Sequence, residues 1–264
     1  MPARNHASLF QPISIGNVEI KNRIAMAAMG IPGLTTLQGA FAPRAVDYYI
    51  ERARGGTGLI ITGLVKIENE IEKRALPSLS ENPGHFIQTA IELTEGVHAY
   101  GARIFIQLTA GMGRVLRPLP GLDQQPVAPS AIPNYWNPEI TCRELATSEV
   151  EKLVRAFGAA ARIAVAAGFD GAEIHAVHEG YLMDQFTIAM FNRRTDKYGG
   201  DLRGRLTFPI EVVKRIKREA GADFPVILRY SVKSYIKDWR QGGLPGEEFK
   251  EMGRDIEEGL QAAR

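Results

Sequence analysis

Cysteine is almost missing from this sequence. Cys142 is the single one in 264 residues, which excludes an internal disulfide and any metal site built from cysteine alone. No apolar run approaches the ~18 residues that a membrane-spanning helix requires. The opening MPARNHASLF holds no apolar core of signal-peptide length. Neither charge is in excess, since Lys+Arg 32 stand against Asp+Glu 30, and no basic block stands out. Nothing in this balance asks for nucleic acid or for a charged membrane surface, so a soluble cytoplasmic protein is the default expectation. A low-complexity linker is missing as well. Core-forming material is plentiful, because 45% of the residues are hydrophobic, enough for one large α/β domain.

Short apolar strands alternate with longer amphipathic segments. The pattern predicts strands at Ile24–Met29, Leu59–Thr62, Ile104–Leu108, Ala172–His175 and Val226–Ser231. Apolar residues at helical spacing predict helices over Pro43–Ala53, Pro83–Tyr100, Ser148–Ala167, Arg205–Ala220 and Gly246–Ala263. Ser148 with Glu151 reads as a capping box, each side chain satisfying an N–H of the first turn. The Pro-rich stretch from Arg117 to Pro138 reads as a long loop or lid after the third strand. Repeated β-then-α units with short apolar strands predict a parallel sheet covered by helices.

The stretch from Gly171 to Arg205 carries the chemistry. A short strand, Gly171–Ala176, delivers His175, His178 and Tyr181 at its carboxyl end, where parallel α/β proteins bind ligands. A lone strand histidine is more often packed than catalytic, but two at i, i+3 followed by Tyr shift that balance. Arg229 is a charge inside an apolar strand, which is costly unless it is paired or meets a ligand. Gln107 and Gly63 carry no message alone. His6, His85 and His98 read as surface or structural residues, and Asp196 and Arg205 as groups that hold a loop.

The unit count leaves the fold incomplete. Five β/α units are present, whereas a closed barrel of this kind needs eight strands. A doubly wound sheet usually carries a Gly-rich phosphate loop after its first strand, and AAMGIPG is not GxGxxG. The expectation is therefore that residues 1–264 are the N-terminal part of a longer protein. Two other readings stay open. His175 and His178 could be ligands of a metal-dependent barrel hydrolase or lyase, with Glu173 on the same side of its strand as a third. The chain could also be a catalytically silent fragment or binding scaffold.

Six segments, spread over nearly all of the chain, carry a resemblance. They are PISIGNVEIKNRIAMAAM, IITG, IQLTAGMGR, HAVHEGYLMDQF, NRRTDKYGG and VILRYS. Together they resemble the old yellow enzyme family of FMN-dependent NADH:flavin oxidoreductases. They look closest to its long iron–sulfur branch, with dienoyl-CoA reductase and trimethylamine dehydrogenase. Within that branch, HAVHEGYL and KSYIKDWRQGGLPGEEFKEMGRD are similar to bile-acid-inducible desaturases acting on 3-oxo-steroid CoA thioesters.

The resemblance implies a TIM (β/α)8 barrel, here only its first five units, with FMN across the carboxyl-terminal mouth. Ala27, Ala28 and Met29 would line the flavin edge, Gly63 would sit near the reactive nitrogen, and Gln107 would meet the pyrimidine edge. Arg229 would place a fixed positive charge near flavin N1 and O2. His175 and His178 would hydrogen-bond a substrate carbonyl, and Tyr181 would deliver a proton to the α-carbon. The implied reaction is reduction of a C=C bond conjugated to a carbonyl, or the reverse desaturation, with NAD(P)H as electron donor and a small unsaturated carbonyl compound as substrate. An iron–sulfur cluster and the FMN phosphate anchor are expected only in a full-length protein, so this segment alone should bind FMN weakly and tend to associate. The oligomeric state is left open. Three departures stand out: QLTAGMGR lacks a histidine and has one extra residue, HAVHEGYL is one residue longer before Tyr181, and GGDLRGR replaces the usual GGSLENR.

Overall fold

Alternating strands and helices form one parallel sheet with its helices on one face. The structure, a computed structural model, describes residues 6–68, 70–72, 78–118, 125–179 and 181–264. A hairpin of β1 (Ile13–Ile15) and β2 (Val18–Ile20), turned at Gly16 with φ 59°, precedes the sheet. The sheet begins with β3 (Ala25–Met26), β4 (Leu59–Lys66) and β5 (Arg103–Thr109). Two short strands, β6 (Val127–Ala128) and β7 (Arg143–Glu144), pair beside it, and β8 (Gly171–Ala176) and β9 (Val226–Tyr230) complete it. Its order is β3-β4-β5-β8-β9, parallel throughout and in chain order. A second hairpin, β10 (Ile236–Asp238) and β11 (Gln241–Gly242), follows β9.

The helices are α1 (Pro43–Arg54), α2 (Pro83–His98), α3 (Thr147–Ala166), α4 (Leu182–Thr187), α5 (Leu202–Arg205), α6 (Thr207–Ala220) and α7 (Ile256–Ala262). Proline opens α1 and α2, where its missing N–H costs nothing, and the Asn82 side chain caps α2 by accepting from His85 N. Strand alternation then divides the two faces. Ile60, Ile104, Ile106, Leu108, Ala172 and Ile174 face the helices and join Phe86, Leu153 and Phe157 in the main core. Truncating Phe157 to Ala there would cost about 3–5 kcal/mol. Leu59, Ile61 and Phe105 face the other way and form a smaller cluster with Ile20.

Several expected boundaries shift, each for a physical reason. The first strand is short, because only Ala25 and Met26 pair with β4 and residues 27–29 leave the ladder. Strand β4 runs four residues beyond Thr62, since Leu64–Lys66 pair with Gln107–Thr109 after a register shift at Gly63. The Ser148–Glu151 capping box is not formed. Helix α3 starts at Thr147, and it is Glu149 that accepts from Ala146 N, 2.8 Å, while Arg143 grips its carboxylate. The helix expected from Arg205 breaks at Leu206 between α5 and α6.

The helix expected over Gly246–Ala263 is reduced to α7. Residues 246–255 are drawn into tertiary contacts instead: Met252 N bonds Ile236 O, and the Arg254 guanidinium is buried on Asp184 Oδ1, 3.0 Å. Asp255 then caps the helix that does form. The described part of the Arg117–Pro138 loop is packed, with Ile132 and Asn134 buried; residues 119–124 of that loop lie outside the described residues. Among the described residues, no helix is long and apolar enough to cross a membrane.

Candidate active site

The concave face of the sheet changes character along its strands. Its lower layer is the apolar cluster of Leu59, Ile61 and Phe105 with Ile227 packed against it. Gly171 belongs to that layer, and a Cβ there would lie 2.6 Å from the Phe105 ring. Two residues further on in each strand, the same face carries Gln107, Glu173 and Arg229, and His175 lies beside Arg229. Apolar strands thus end in polar groups turned inward at their carboxyl ends.

Those polar groups are tied to each other and across the sheet. Gln107 Nε2 donates to Glu173 Oε1, 2.6 Å, and both side chains are buried. Burial raises the Glu173 carboxyl above its usual range, while the Gln107 hydrogen bond and Arg229 pull it back. Arg229 Nη1 donates to Ala28 O, 3.1 Å, joining the end of β9 to the segment after β3 across 201 residues. Gly63 N donates to Tyr49 Oη, 2.8 Å, and the Thr62 hydroxyl takes the Gln107 N–H where the β4–β5 register shifts. A Cβ at Gly63 would come within 2.6 Å of Met29 O, so only glycine fits without moving a backbone.

His175, His178 and Tyr181 form a cluster that climbs from the sheet toward solvent. His175 is buried, Tyr181 half-buried and His178 exposed. The His175 ring centre lies 4.0 Å from Tyr181 and 5.1 Å from His178, and His178 lies 5.6 Å from Tyr181. Among the described residues, His175 Nδ1 is buried with no hydrogen-bond partner. Burial, then the neighbouring His178 and Arg229, push the His175 pKa down to about 3. At neutral pH its ring is neutral, with one nitrogen a donor and the other an acceptor. Burial raises the Tyr181 phenol above its usual pKa, so it remains a proton donor. A cleft of about 310 Å³, lined by Met29, Ile31, Leu34, Phe41, Gly63 and Tyr181, opens beside this cluster.

The structure therefore brings Tyr181, Met29 and Gly63 around one cleft, packs His175 and His178 against Tyr181, and sets Gln107, Arg229 and Ala28 on the same concave face. Ala27 is exposed, on the segment that leads from β3 to Met29. An unsatisfied buried imidazole, a glycine held by its space and a polar layer on a concave sheet fit a flat, polar-edged cofactor such as FMN. The metal-ligand reading fares differently. Glu173 is turned onto Gln107, and among the described residues no three or more His, Cys, Asp or Glu groups are arranged to hold a metal ion. Asp196 and Arg205 hold loops: Asp196 bonds the Thr147 hydroxyl, 2.6 Å, and Arg205 bonds Thr187 O and Gly200 O, both 3.0 Å. His98 pairs with Asp170 at 2.7 Å, a structural role.

The model of the NADH:flavin oxidoreductase / NADH oxidase family matches residues 8–261. The chain belongs to this flavin oxidoreductase family. Over 259 residues it is 58% identical to the cinnamate reductase of Clostridium sporogenes, covering 97% of this chain and 39% of that protein. Among solved structures, an old yellow enzyme homologue from Zymomonas mobilis is similar with a TM-score of 0.74 and 34% identity, over 87% of this chain and 64% of that one. A complex of 2-naphthoyl-CoA reductase with 2-naphthoyl-CoA is similar with a TM-score of 0.80 and 28% identity, over 97% of this chain and 38% of that one. The five parallel strands with their helices are thus part of a TIM barrel, and the chain spans about two fifths of its long relatives. FMN and NAD(P)H fit this family.

Three supporting residues escaped the sequence reading: Tyr49, which holds Gly63, and Arg114 and Glu179, which are paired at 2.9 Å. Tyr49 gives no local signal. Arg114 and Glu179 sit at the two lengthened loops, and that coincidence was the available clue.

Proposed function

We propose that this chain is the first five β/α units of a longer FMN-dependent reductase acting on C=C bonds conjugated to a carbonyl, with an aryl-substituted 2-enoate as substrate. The observation that carries the reading is the buried, neutral His175 with its unsatisfied Nδ1, packed against Tyr181 beneath a cleft. A neutral imidazole donates a hydrogen bond to a substrate oxygen without carrying a charge into an apolar site. His178, exposed above it, supplies a second donor to the same oxygen. Tyr181 keeps its proton until negative charge develops on the substrate, and then gives it to the α-carbon.

When bound, FMN reduced by NAD(P)H supplies the hydride that goes to the β-carbon. Ala27, Ala28, Met29 and Gly63 would line its edge, Gln107 its pyrimidine side, and Arg229 the end where negative charge grows. The identity to cinnamate reductase supports the aryl enoate, and a 3-oxo-steroid CoA thioester is the competing substrate. An iron–sulfur cluster would lie outside residues 1–264, since Cys142 is buried and its thiol is pushed up to about 11.

The test is to purify this chain beside the longest reading frame of its gene and record visible absorbance, FMN and iron. NADH-driven reduction of cinnamate and of a 3-oxo-steroid CoA thioester is then measured for both. Flavin, iron and cinnamate turnover in the longer product, with little flavin here, are expected. A colourless longer product would overturn the reading, and stoichiometric FMN held tightly by residues 1–264 would overturn the division.

A further inference from the structure

Two loops that depart from the family pattern, QLTAGMGR after β5 and HAVHEGYL after β8, lock into each other. His178 and Glu179 both adopt left-handed backbone, with φ 52° and 46°. Neither is glycine, so each costs on the order of 1–3 kcal/mol and persists only where its surroundings over-determine it. The surroundings do so at three points. Glu179 N donates to Asp184 Oδ2, 2.7 Å; Glu179 O accepts from Gln185 Nε2, 3.0 Å; and Glu179 Oε2 accepts from Arg114 Nη1, 2.9 Å.

Arg114 is itself held from all sides. It is fully buried, its Nη2 donates to Trp239 O at 2.7 Å, and its guanidinium stacks 4.6 Å above the Phe191 ring. Its backbone N donates to Gln185 Oε1, 3.0 Å, and the preceding turn is clamped because Met112 N and Gly113 N both donate to the buried Glu72 carboxylate at 2.7 and 2.6 Å. The extra residue of one loop therefore anchors on the altered loop beside it. The reversed backbone at His178 and Glu179 turns the chain so that His178 and Tyr181 both face His175.

We infer that Arg114 and Glu179 are positioning residues that set His178 and Tyr181 over the substrate. They touch neither substrate nor cofactor; they fix the loop that does. This rests on the assignment of Tyr181 and His178 to substrate, and the experiment separates the two.

In the flavin-loaded protein, kcat/KM for the enoate is measured for Glu179→Ala, Glu179→Gln and Tyr181→Phe, and for Glu179→Ala combined with Tyr181→Phe. Glutamine keeps an acceptor for Arg114, so it should stay within about threefold of wild type, whereas alanine should lose tenfold or more. In the Tyr181→Phe background the alanine change should cost several-fold less than it does alone, because one of the two groups it positions is gone and only the His178 share remains. An equal loss in both backgrounds, or no loss, would overturn the inference. Should Glu179→Ala fail to hold flavin, Arg114→Lys replaces it, since lysine keeps the charge and cannot bridge Glu179 and Trp239. If Tyr181→Phe is silent, the functional reading falls instead. Amide exchange of residues 176–183 then decides alone: faster in the alanine variant if the pair positions the loop, unchanged if it does not.

Discussion

The stretch from Gly171 to Arg205 contains two segments of similar polarity that are built for opposite ends. From Asn192 onward the buried polar side chains Asn192, Arg194 and Arg205 are all matched. Asn192 Nδ2 donates to Phe186 O and Tyr198 O, 2.6 and 2.7 Å, and Arg194 bonds Pro129 O and Asp196 Oδ1, both 2.9 Å. Asp196 accepts from both Arg194 and Thr147, and those bonds hold its carboxyl down at about 2. In the segment that carries Glu173 and His175, Glu173 is bonded to Gln107, yet the His175 ring has a buried nitrogen with no partner among the described residues. A satisfied polar network rigidifies, and an unsatisfied buried group is tolerated where a ligand will complete it. The difference separates a brace from a site.

The largest effect is expected at the brace. Arg194→Ala should lower stability by about 3 kcal/mol, since it strands carbonyl and carboxylate partners in a buried network. A urea midpoint unchanged from wild type would show that the segment is not a brace. Tyr181→Phe should do the reverse: about a hundredfold loss in kcat on the enoate, with the urea midpoint close to wild type. Gly63→Ala should raise the FMN dissociation constant about tenfold by forcing β4 away from Met29, which a flavin titration would read.

Where the sequence was informative, a strand interior held a residue that did not belong there. His175 and Arg229 announce themselves because an apolar strand has no use for them, and alternation alone puts Glu173 on the same face as His175. The five sheet strands and four of the five expected helices were legible for the same reason, as periodicity is local. The failures are contacts between distant residues. The fifth helix lost its first half to Arg254, which reaches Asp184 seventy positions away, and the Arg114–Glu179 pair joins loops 65 positions apart. The shifted cap at Ala146 follows from Arg143 holding Glu149 rather than from any helix preference. Ala27, Ala28 and Met29 were named from resemblance; Met29 lines the cleft, and Ala28 O accepts from Arg229.

The smallest effect reads the unsatisfied ring directly. An unfolded histidine titrates near 6.5, and His175 in the fold titrates near 3. Its folded pKa is depressed, so the stabilisation from keeping it neutral is complete above pH 6.5 and is lost as pH falls toward 3. Glu72 and Glu179 act with the opposite sign, since burial pushes both carboxyls up to about 7 and favours the fold as they protonate. Only the difference between wild type and His175→Gln therefore isolates the ring. Between pH 7 and pH 6 that difference should shrink by about 0.7 kcal/mol, measurable as urea midpoints at the two pH values in flavin-free protein. Asp196→Asn is the matching control on the brace: its carboxyl titrates far below this window, so its difference from wild type should not change between pH 7 and pH 6. A flat difference for His175 as well would mean that the ring titrates in the fold as it does in the unfolded chain, open to solvent, and the two segments would then be alike.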